Sequence, residues 1–374
     1  MQALEIDTTY LVDLLRRLIA TPSPTGMTDA ITKVVTAELE QLGIPFELTR
    51  RGAIRADLEG ARHSPDRAIV GHLDTLGAMV KELKPNGRLG IVPIGTWSAR
   101  FAEGARITIF CDGARNYRGT ILPLRASGHV YHDGIDSQAT GWDFVEVRLD
   151  ERIGTQQELL EAGLHVGDHI AIDPRFEIGE AGFINSRHLD DKAGVAVILT
   201  AARAAMQAGA GLPVDCHLLF TISEEVGVGA SHVLHGDVAE LVAVDNGTIA
   251  PGQNTCAYGA TIVMQDMSGP FDWHLTRELI RICQEHHIVH SRDVFRYYRS
   301  DAASALEAGN DIRTALVCFA LDASHGYERT HVDSLGALAQ LLALYMQTPP
   351  LFPRQSKPIS PRVDLDPPPG RGEV

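Results

Sequence analysis

Residues 218–227 read LLFTISEEVG, an apolar run that ends in two acidic side chains. The apolar part, 218–222, predicts a buried strand, and Glu224 and Glu225 follow directly after it. Two adjacent carboxylates at the end of an apolar strand are costly to desolvate unless a cation or a proton compensates their charge. Neighbouring side chains diverge, so one carboxylate can bind a metal while the other faces a substrate. The stretch therefore predicts a strand of an α/β sheet that ends in a polar site.

Four further short stretches bring carboxylates or imidazole to comparable places. They are GHLDT (71–75), HLDDK (188–192), VDN (244–246) and RTHVD (329–333). Four of the five stretches lie just past the carboxyl end of an apolar strand, and HLDDK opens a helix. Open α/β sheets bind ligands in the crevice outside the carboxyl ends of their strands, so side chains from separate segments can meet there. Together the stretches supply the His, Asp and Glu ligands that a pair of divalent ions such as Zn²⁺ requires.

Each stretch alone has an ordinary structural explanation. His72 and Asp74 point to the same side of an extended segment, but an isolated His-x-Asp is often a strand-end histidine followed by a turn aspartate. Asp190 and Asp191 precede a predicted helix, where carboxylates are favoured as caps. Asp245 comes before Asn-Gly, a common setting for a turn aspartate. The metal site is therefore indicated by the whole set of stretches and not by any single one.

Two histidines compete for the last ligand position. His325 lies in ASHGY (323–327), and His331 lies in RTHVD. They are six residues apart, and either could close the site.

The order of elements along the chain predicts an α/β protein with an inserted β domain. From 84 to 178, short β-like runs (107–110, 128–131, 144–149 and 169–172) alternate with glycine-rich turns, whereas strands alternate with helices on either side of this segment. We expect residues 1–83 and 179–348 to form one discontinuous catalytic domain and 84–178 to form the inserted domain. The proline-rich segment 349–374 is expected to be disordered.

Composition excludes several classes of partner. The net charge of the 374 residues is -15, whereas nucleic-acid binders usually carry a basic surface. The N-terminus lacks a basic segment followed by an apolar core, and no apolar run approaches the ~18–20 residues of a membrane span. We therefore expect a cytoplasmic protein with no nucleic-acid and no membrane partner.

In their order and context, the five stretches resemble the co-catalytic two-metal aminopeptidases of the glutamyl-aminopeptidase, or TET-like, family, metallopeptidase family forty-two. The resemblance runs from about residue 5 to residue 346, and EEVGVGA (224–230) is its most specific part. It implies a mixed-sheet catalytic domain with helices on both faces and a small inserted domain like a β-barrel. Because members often assemble into large tetrahedral oligomers, we also expect a homo-oligomer.

The resemblance implies a set of metal ligands. These are His72, Asp190, Glu225, Asp245 and His331. Asp190 would bridge two divalent ions per chain, with zinc expected and cobalt or manganese as alternatives. His331 is favoured over His325, because the last ligand of the family follows an Arg/Tyr-bearing loop and precedes the final helix.

The resemblance also implies an activity. Glu224 would be the general base, and Asp74, beside His72, the second catalytic residue. The expected reaction is hydrolysis of peptide bonds by activated water, most simply by an aminopeptidase acting on short peptides. Thr75 stands where typical members have glutamate, which leaves open an amidohydrolase or deacylase of N-acylated or amidated small peptides, such as those of osmolyte metabolism. A catalytically silent oligomeric scaffold is a third alternative, and the complete ligand set argues against it.

Overall fold

The computed structural model describes residues 3–113 and 115–351. The helices are α1 (Thr8–Ala20), α2 (Asp29–Leu42), α3 (Ala99–Ala102), α4 (Gly128–Tyr131), α5 (Gln156–Glu161), α6 (Leu189–Gln207), α7 (Trp273–Glu285), α8 (Asp301–Glu307) and α9 (Val332–Met346). The strands are β1 (Phe46–Leu48), β2 (Ile54–Leu58), β3 (Asp66–His72), β4 (Gly77–Leu83), β5 (Leu89–Ile94), β6 (Arg106–Phe110), β7 (Asn116–Pro123), β8 (Val145–Leu149), β9 (His169–Ile172), β10 (Glu177–Ile178), β11 (Phe183–Ser186), β12 (Cys216–Thr221), β13 (Val238–Ile249), β14 (Ala260–Asp266), β15 (Gly269–Pro270), β16 (His290–Val294), β17 (Arg313–Asp322) and β18 (Glu328–His331).

The larger sheet has 12 strands, and its main path runs β1-β2-β12-β3-β13-β17-β18-β11-β10. Its centre is parallel, because β12, β3, β13 and β17 all run in one direction. Towards the edges, β2 pairs antiparallel with β12, and both β14 and β18 pair antiparallel with β17. The sheet is therefore mixed, as predicted.

The central strands are buried along their whole length. Every residue of β3 and of β12 is buried, which is typical of parallel strands covered on both faces. Helix α6 contacts β3 and β13 and also packs against α1 and α9, while α8 contacts the same central strands. The Ala, Val, Ile and Leu side chains of α6 are buried around the helix, so it forms part of the core. The predicted α/β class with covered sheet faces is confirmed.

The strand register brings the acidic segments to one edge of this sheet. His72, the last residue of β3, is paired in register with Thr221 at the end of β12. The neighbouring strand β13 does not end at the predicted position, because it continues past Asp245 to Ile249. Since Ala243 pairs with Val70, Asp245 is nevertheless level with the end of β3. The crevice past β3 and β12 therefore receives side chains from three adjacent strands.

A closed barrel with its own hydrophobic core forms the second part of the structure. Its strands follow the order β4-β5-β8-β7-β6-β9. Apolar side chains that alternate along these strands fill the interior, among them Val80, Ile91, Ile107, Ile121 and Ile170. The predicted small barrel-like insertion is therefore confirmed as a fold.

Two details of the predicted insertion differ from the structure. The run 128–131 was expected to be β-like but forms the helical turn α4, in which no residue is buried. The barrel strands run from Gly77 to Ile172, and β10 pairs with β11 of the larger sheet. The domain boundaries at 83/84 and 178/179 stay predictions, although barrel pairing already begins before the first of them.

The C-terminal segment is described only in its first residues. The main-chain N–H of Leu351 donates to Glu240 Oε1, at 2.6 Å, which fixes the chain directly after α9. Residues 349–374 were predicted to be disordered, and from residue 352 onward this segment lies outside the described residues. Among the helices of 3–113 and 115–351, none combines the length and apolar character that a membrane crossing needs.

Candidate metal centre

The carboxylate of Asp190 lies between two imidazole rings. Its Oδ1 is 3.1 Å from His72 Nε2, and its Oδ2 is 3.3 Å from His325 Nε2. Oδ2 also accepts a hydrogen bond from Asn246 Nδ2, at 2.8 Å. Asp190 is buried, so one carboxylate inside the protein presents its two oxygens to two different histidines.

Two sets of potential ligand atoms share Asp190. They are His72, Asp190 and Asp245, and Asp190, Glu225 and His325, with the ligand atoms of each set within 4.8 Å of one another. Imidazole nitrogens with carboxylate oxygens are the donors that zinc and similar divalent ions prefer. A carboxylate common to both sets is the arrangement that can hold two ions side by side.

The two histidines are oriented in the same way. His72 Nδ1 lies 2.9 Å from the main-chain oxygen of Asp74, and His325 Nδ1 lies 2.8 Å from that of Thr96. A carbonyl oxygen can only accept, so in each ring Nδ1–H is the donor and the lone pair of Nε2 faces Asp190. Metal-binding histidines are commonly fixed by such a bond from the second ring nitrogen.

Negative charge is crowded at this centre. Burial, together with the charge of Asp190, raises the pKa of Glu225 to about 8 and that of Asp245 to about 7. Burial also raises the pKa of Asp191 and of Glu224 well above the ordinary values, with Asp245 contributing to both. Divalent cations would remove this repulsion, so the residues present fit a metal-binding role.

Asp191 is packed into a space that only glycine leaves open. Its Oδ2 accepts the main-chain N–H of His72, at 3.2 Å, and its Oδ1 has no hydrogen-bond partner within the described residues. A Cβ atom on Gly194 would lie 2.1 Å from Asp191 Oδ1, and one on Gly71 would lie 2.8 Å from Oδ2. The peptide bond between Asp190 and Asp191 is cis. Asp191 therefore lies behind the end of β3 as a buried partner of that strand.

Asp74 positions the acidic turn that follows β12. Its Oδ1 accepts the main-chain N–H of Glu224, at 3.0 Å, and its Oδ2 accepts that of Glu225, at 3.3 Å, and the hydroxyl of Thr25, at 2.7 Å. Asp74 is fully buried, whereas the side chain of Glu224 keeps 14% exposure and its Oε2 lies 3.9 Å from His72 Nε2. Asp74 therefore contacts the main chain of the acidic turn, and Glu224 keeps a partly exposed carboxylate next to His72.

His331, the predicted last ligand, does not lie with these groups. Its Nε2 is 2.7 Å from the main-chain oxygen of Ala181, and its Nδ1 accepts the main-chain N–H of Asp333, at 3.1 Å. Both ring nitrogens are therefore occupied, and the histidine caps the N-terminus of α9. This corrects the choice between the two histidines, because it is His325 that faces Asp190 and Glu225.

The reversal of the chain after β17 explains the difference. His325 follows the carboxyl end of β17, where the other acidic segments also lie, and it has a left-handed backbone with φ of 63°. The chain then turns back as β18 and carries His331 to the far end of that strand. The rule that ligand sites lie at the carboxyl ends of parallel strands would have selected His325.

Two further residues of the centre carried no signal in the sequence. Buried Glu328 accepts main-chain N–H groups through both oxygens, from Leu189 and Asp190 with Oε2 and from His325 with Oε1. Asn246 donates Nδ2 to both Asp190 and Asp245, although its place before glycine is also that of an ordinary turn residue. Glu328 thus connects the two segments that supply Asp190 and His325.

A cleft opens beside this centre. Asp190, Glu225, His325 and Glu328 line it together with Leu76, Trp97, Ile172, Arg187, His188 and Gly326. Arg187 is half-buried and donates from Nη2 to the main-chain oxygen of Phe101, at 2.8 Å. Its buried Nε has no hydrogen-bond partner in the described part of the chain. The walls of the cleft therefore include apolar side chains, the Arg187 cation and carboxylates of the metal centre.

Comparison with known proteins identifies the family. A family model described as M42 glutamyl aminopeptidase matches residues 52–341. The chain belongs to the M42 peptidase family. The "Putative aminopeptidase YhfE" of Bacillus subtilis (strain 168) is 38% identical over 90% of this chain and 97% of its own length. The chain is accordingly a metallopeptidase of the aminopeptidase class that uses divalent metal, as predicted.

Solved structures agree on the fold. A TET aminopeptidase from Thaumarchaeota archaeon SCGC AB-539-E09 has a TM-score of 0.82 at 17% identity, covering 90% of this chain and 96% of its own. The Pyrococcus horikoshii TET1 peptidase has a TM-score of 0.78 at 20% identity, covering 89% and 98%. These likenesses confirm the aminopeptidase-like architecture with its inserted barrel.

Metal analysis can test whether His325 or His331 is the metal ligand. We expect His325→Ala to retain less divalent metal than the unmodified protein after dialysis and to lose most peptidase activity, because it removes a donor to one of the two sets. His331→Ala should keep its metal and lose only stability, by ~0.5–2 kcal/mol, since it removes an N-cap. Metal content and thermal unfolding of both variants provide the measurement, and the opposite pattern would return the ligand role to His331.

Proposed function

We propose that this chain removes N-terminal residues from short peptides with the help of two divalent ions per chain. One ion would be held by His72, Asp190 and Asp245, and the other by Asp190, Glu225 and His325. The observation that carries this proposal is the buried Asp190 carboxylate, whose two oxygens face two imidazoles that are both fixed through Nδ1. Zinc suits two imidazoles among carboxylates, and cobalt or manganese would be accepted by the same donors.

Bound in such a pair, divalent ions polarise the scissile carbonyl and lower the pKa of a water molecule. The protein contributes the general base. Glu224 is held by its main chain on Asp74, and its Oε2 lies 3.9 Å from His72 Nε2, at the edge of the centre. In this position it would take the proton of the attacking water and deliver it to the leaving amine. A catalytically silent scaffold would not need a general base, so the presence of Glu224 argues against that alternative.

The cleft supports a preference for substrates that carry a carboxylate. Burial, with the nearby charge of Arg175, lowers the pKa of Arg187 from its usual value, which means that its charge is poorly solvated. An anionic group of a substrate in the cleft would stabilise that charge. Names of relatives do not decide the matter, since one from Lactococcus lactis is a glutamyl aminopeptidase and one from Pyrococcus furiosus is a lysyl aminopeptidase.

The proposed base has a direct test. Glu224→Gln keeps the size of the side chain but cannot accept a proton, so metal content should persist while kcat falls by on the order of 10²–10⁴-fold. Glu180→Gln, at an exposed glutamate outside the centre, is the matched control and should retain full activity. Near-normal kcat in the Glu224 variant, with its metal intact, would remove this residue from the mechanism.

The role of Arg187 is tested with paired substrates. Arg187→Ala should lower kcat/KM for glutamyl-p-nitroanilide by about 10- to 100-fold, corresponding to the ~1.5–3 kcal/mol of a charged hydrogen bond, and should change leucyl-p-nitroanilide much less. Arg115→Ala removes an exposed cation paired with Glu151 and serves as the control.

Two further comparisons test which substrate carboxylate Arg187 recognises and whether the enzyme needs a free N-terminus. A selective loss for Leu-Gly over Leu-Gly-amide in the Arg187 variant would assign Arg187 to the C-terminal carboxylate instead of the side chain. Equal losses for all substrates would exclude a specificity role. N-acetylated glutamyl-p-nitroanilide should be a poor substrate of the unmodified enzyme, and efficient turnover of it would favour the deacylase alternative.

We also propose that the chain assembles with copies of itself. The structure of the Pyrococcus horikoshii TET1 peptidase is described as a tetrahedron or a large octahedral shell. In this chain the barrel exposes apolar side chains that a partner copy would cover, with Val130 71% and Tyr131 43% exposed. Light scattering at micromolar concentration should therefore give a particle of at least two chains, and a monodisperse monomer would contradict the proposal.

A further inference from the structure

A second group of histidine and carboxylate side chains lies at the opposite edge of the large sheet. It consists of Asp57, His217 and His235, which we call the amino-edge cluster. His217 is in β12, next to its first residue, and pairs in register with Asp57 of β2. His235 lies in the loop that leads into β13. The metal centre follows the carboxyl end of β12, so the two groups are at opposite ends of the same strand.

The side chains of the amino-edge cluster converge on one carboxylate oxygen. Asp57 Oδ1 is 2.6 Å from His217 Nδ1 and 3.1 Å from His235 Nε2. The two imidazole ring centroids are 4.2 Å apart. One ligand atom from each residue lies within 4.8 Å of the other two. Two imidazole nitrogens and one carboxylate oxygen are a common ligand set for zinc and related ions.

A buried carboxylate supports His217 from behind. His217 Nε2 lies 3.4 Å from Asp66 Oδ2, which also accepts the main-chain N–H of Asp237, at 2.8 Å. Asp66 is 4% exposed, and its Oδ1 has no hydrogen-bond partner within the described residues. In the tautomer that carries its proton on Nε2, His217 donates Nε2–H to Asp66 and the lone pair of Nδ1 is turned towards Asp57. This is the arrangement of carboxylate, histidine and metal found around zinc ligands.

The short contact between His217 and Asp57 holds a positive charge in either of two ways. His217 Nδ1 lies 2.6 Å from Asp57 Oδ1, so a proton on Nδ1 can join the two atoms, or, with the proton on Nε2, both atoms are free to bind one cation. His235 Nδ1 is buried and also lacks a hydrogen-bond partner in this part of the structure. The ring of His235 is held towards the cluster by its contact with Asp57 and by the neighbouring ring of His217.

The loop is shaped to approach this pair closely. Gly236 has a φ of +68°, and a Cβ atom there would lie 2.6 Å from Asp66 Oδ2 and 3.1 Å from His217 Nε2. Glycine allows both the left-handed backbone and the close contact. Because the loop approaches so closely, it also brings His235 next to β12.

We propose that the amino-edge cluster binds one divalent cation of the zinc class, separate from the metal centre. His217 Nδ1, His235 Nε2 and Asp57 Oδ1 are its ligands, and Asp66 is the positioning residue for His217. The Asp57 side chain is 46% exposed, so ions can enter and water can complete the coordination. The cation would connect β2, β12 and the loop before β13, which gives it a stabilising role and no part in peptide hydrolysis.

The test counts ions per chain in the full-length protein. Metal is removed with a chelator, the protein is dialysed against buffered Zn²⁺, and bound zinc is measured for the unmodified chain and for His235→Ala. We expect the variant to hold one ion fewer and to hydrolyse peptides at the unchanged rate. Excess Zn²⁺ should raise the unfolding temperature of the unmodified chain more than that of the variant, because the ion binds only the folded state.

Matched variants make the result specific. His63→Ala removes an exposed histidine that pairs with Asp215 at the same edge, and it should hold as many ions as the unmodified chain. Asp66→Asn should lower the affinity for the additional ion by about 10- to 100-fold, as expected for a residue that orients a ligand. If His235→Ala does not fold, the same measurement is made with Asp57→Asn, which removes a ligand at a half-exposed position.

One result overturns the proposal. Equal zinc counts in the unmodified chain and in the folded ligand variant would mean that a proton on His217, paired with Asp57 and Asp66, fills the role assigned to the ion. Because the count is a difference between two proteins, it does not depend on how many ions the metal centre holds. Failure of the proposed aminopeptidase function would therefore leave this measurement unaffected.

Discussion

Burial of the Asp190 carboxylate between two imidazoles sets the conditions that the surrounding structure has to meet. An isolated buried carboxylate is strongly disfavoured, and here further carboxylates lie within a few ångströms of it. A second proton on the ring of His72 or His325, carried by Nε2, offsets part of that cost, because its hydrogen bond to Asp190 keeps the pKa of Asp190 below the ordinary value against the effect of burial. Divalent ions would supply the remaining positive charge. The same feature that makes the centre costly to fold thus makes it suited to bind metal.

The groups that hold this centre in place are main-chain N–H and C=O groups, which carry no net charge. Main-chain N–H groups of the acidic turn bind Asp74, and those of the segments carrying Asp190 and His325 bind Glu328. Main-chain oxygens fix both histidines through Nδ1. Most of these supporting bonds are made to the backbone, so the geometry of the ligand atoms follows largely from the path of the chain. A small displacement of that path would therefore affect several ligands together.

The parallel arrangement of β12, β3, β13 and β17 gives the sheet two chemically different edges. The carboxyl ends collect the catalytic carboxylates in a cleft next to the barrel, and Thr96, which follows β5, reaches back to His325. At the amino ends, β2 and β12 place Asp57 opposite His217. Both edges concentrate histidine and carboxylate, and the cleft at the carboxyl edge adds Arg187 and apolar walls.

The sequence by itself determined the α/β class, the presence of an inserted β domain and the segments that carry His72, Asp190, Glu224, Glu225 and Asp245. These follow from local patterns, because an apolar strand that ends in carboxylates can be recognised without knowing its neighbours. The tertiary structure placed His325, and not His331, next to Asp190, since their positions depend on where the chain reverses after β17. It also placed Glu328, and it brought Asp57, His217 and His235 together from three separate segments. Contacts of this kind depend on strand order and register, which bring residues distant in the chain within hydrogen-bonding distance and leave no periodic pattern in the sequence.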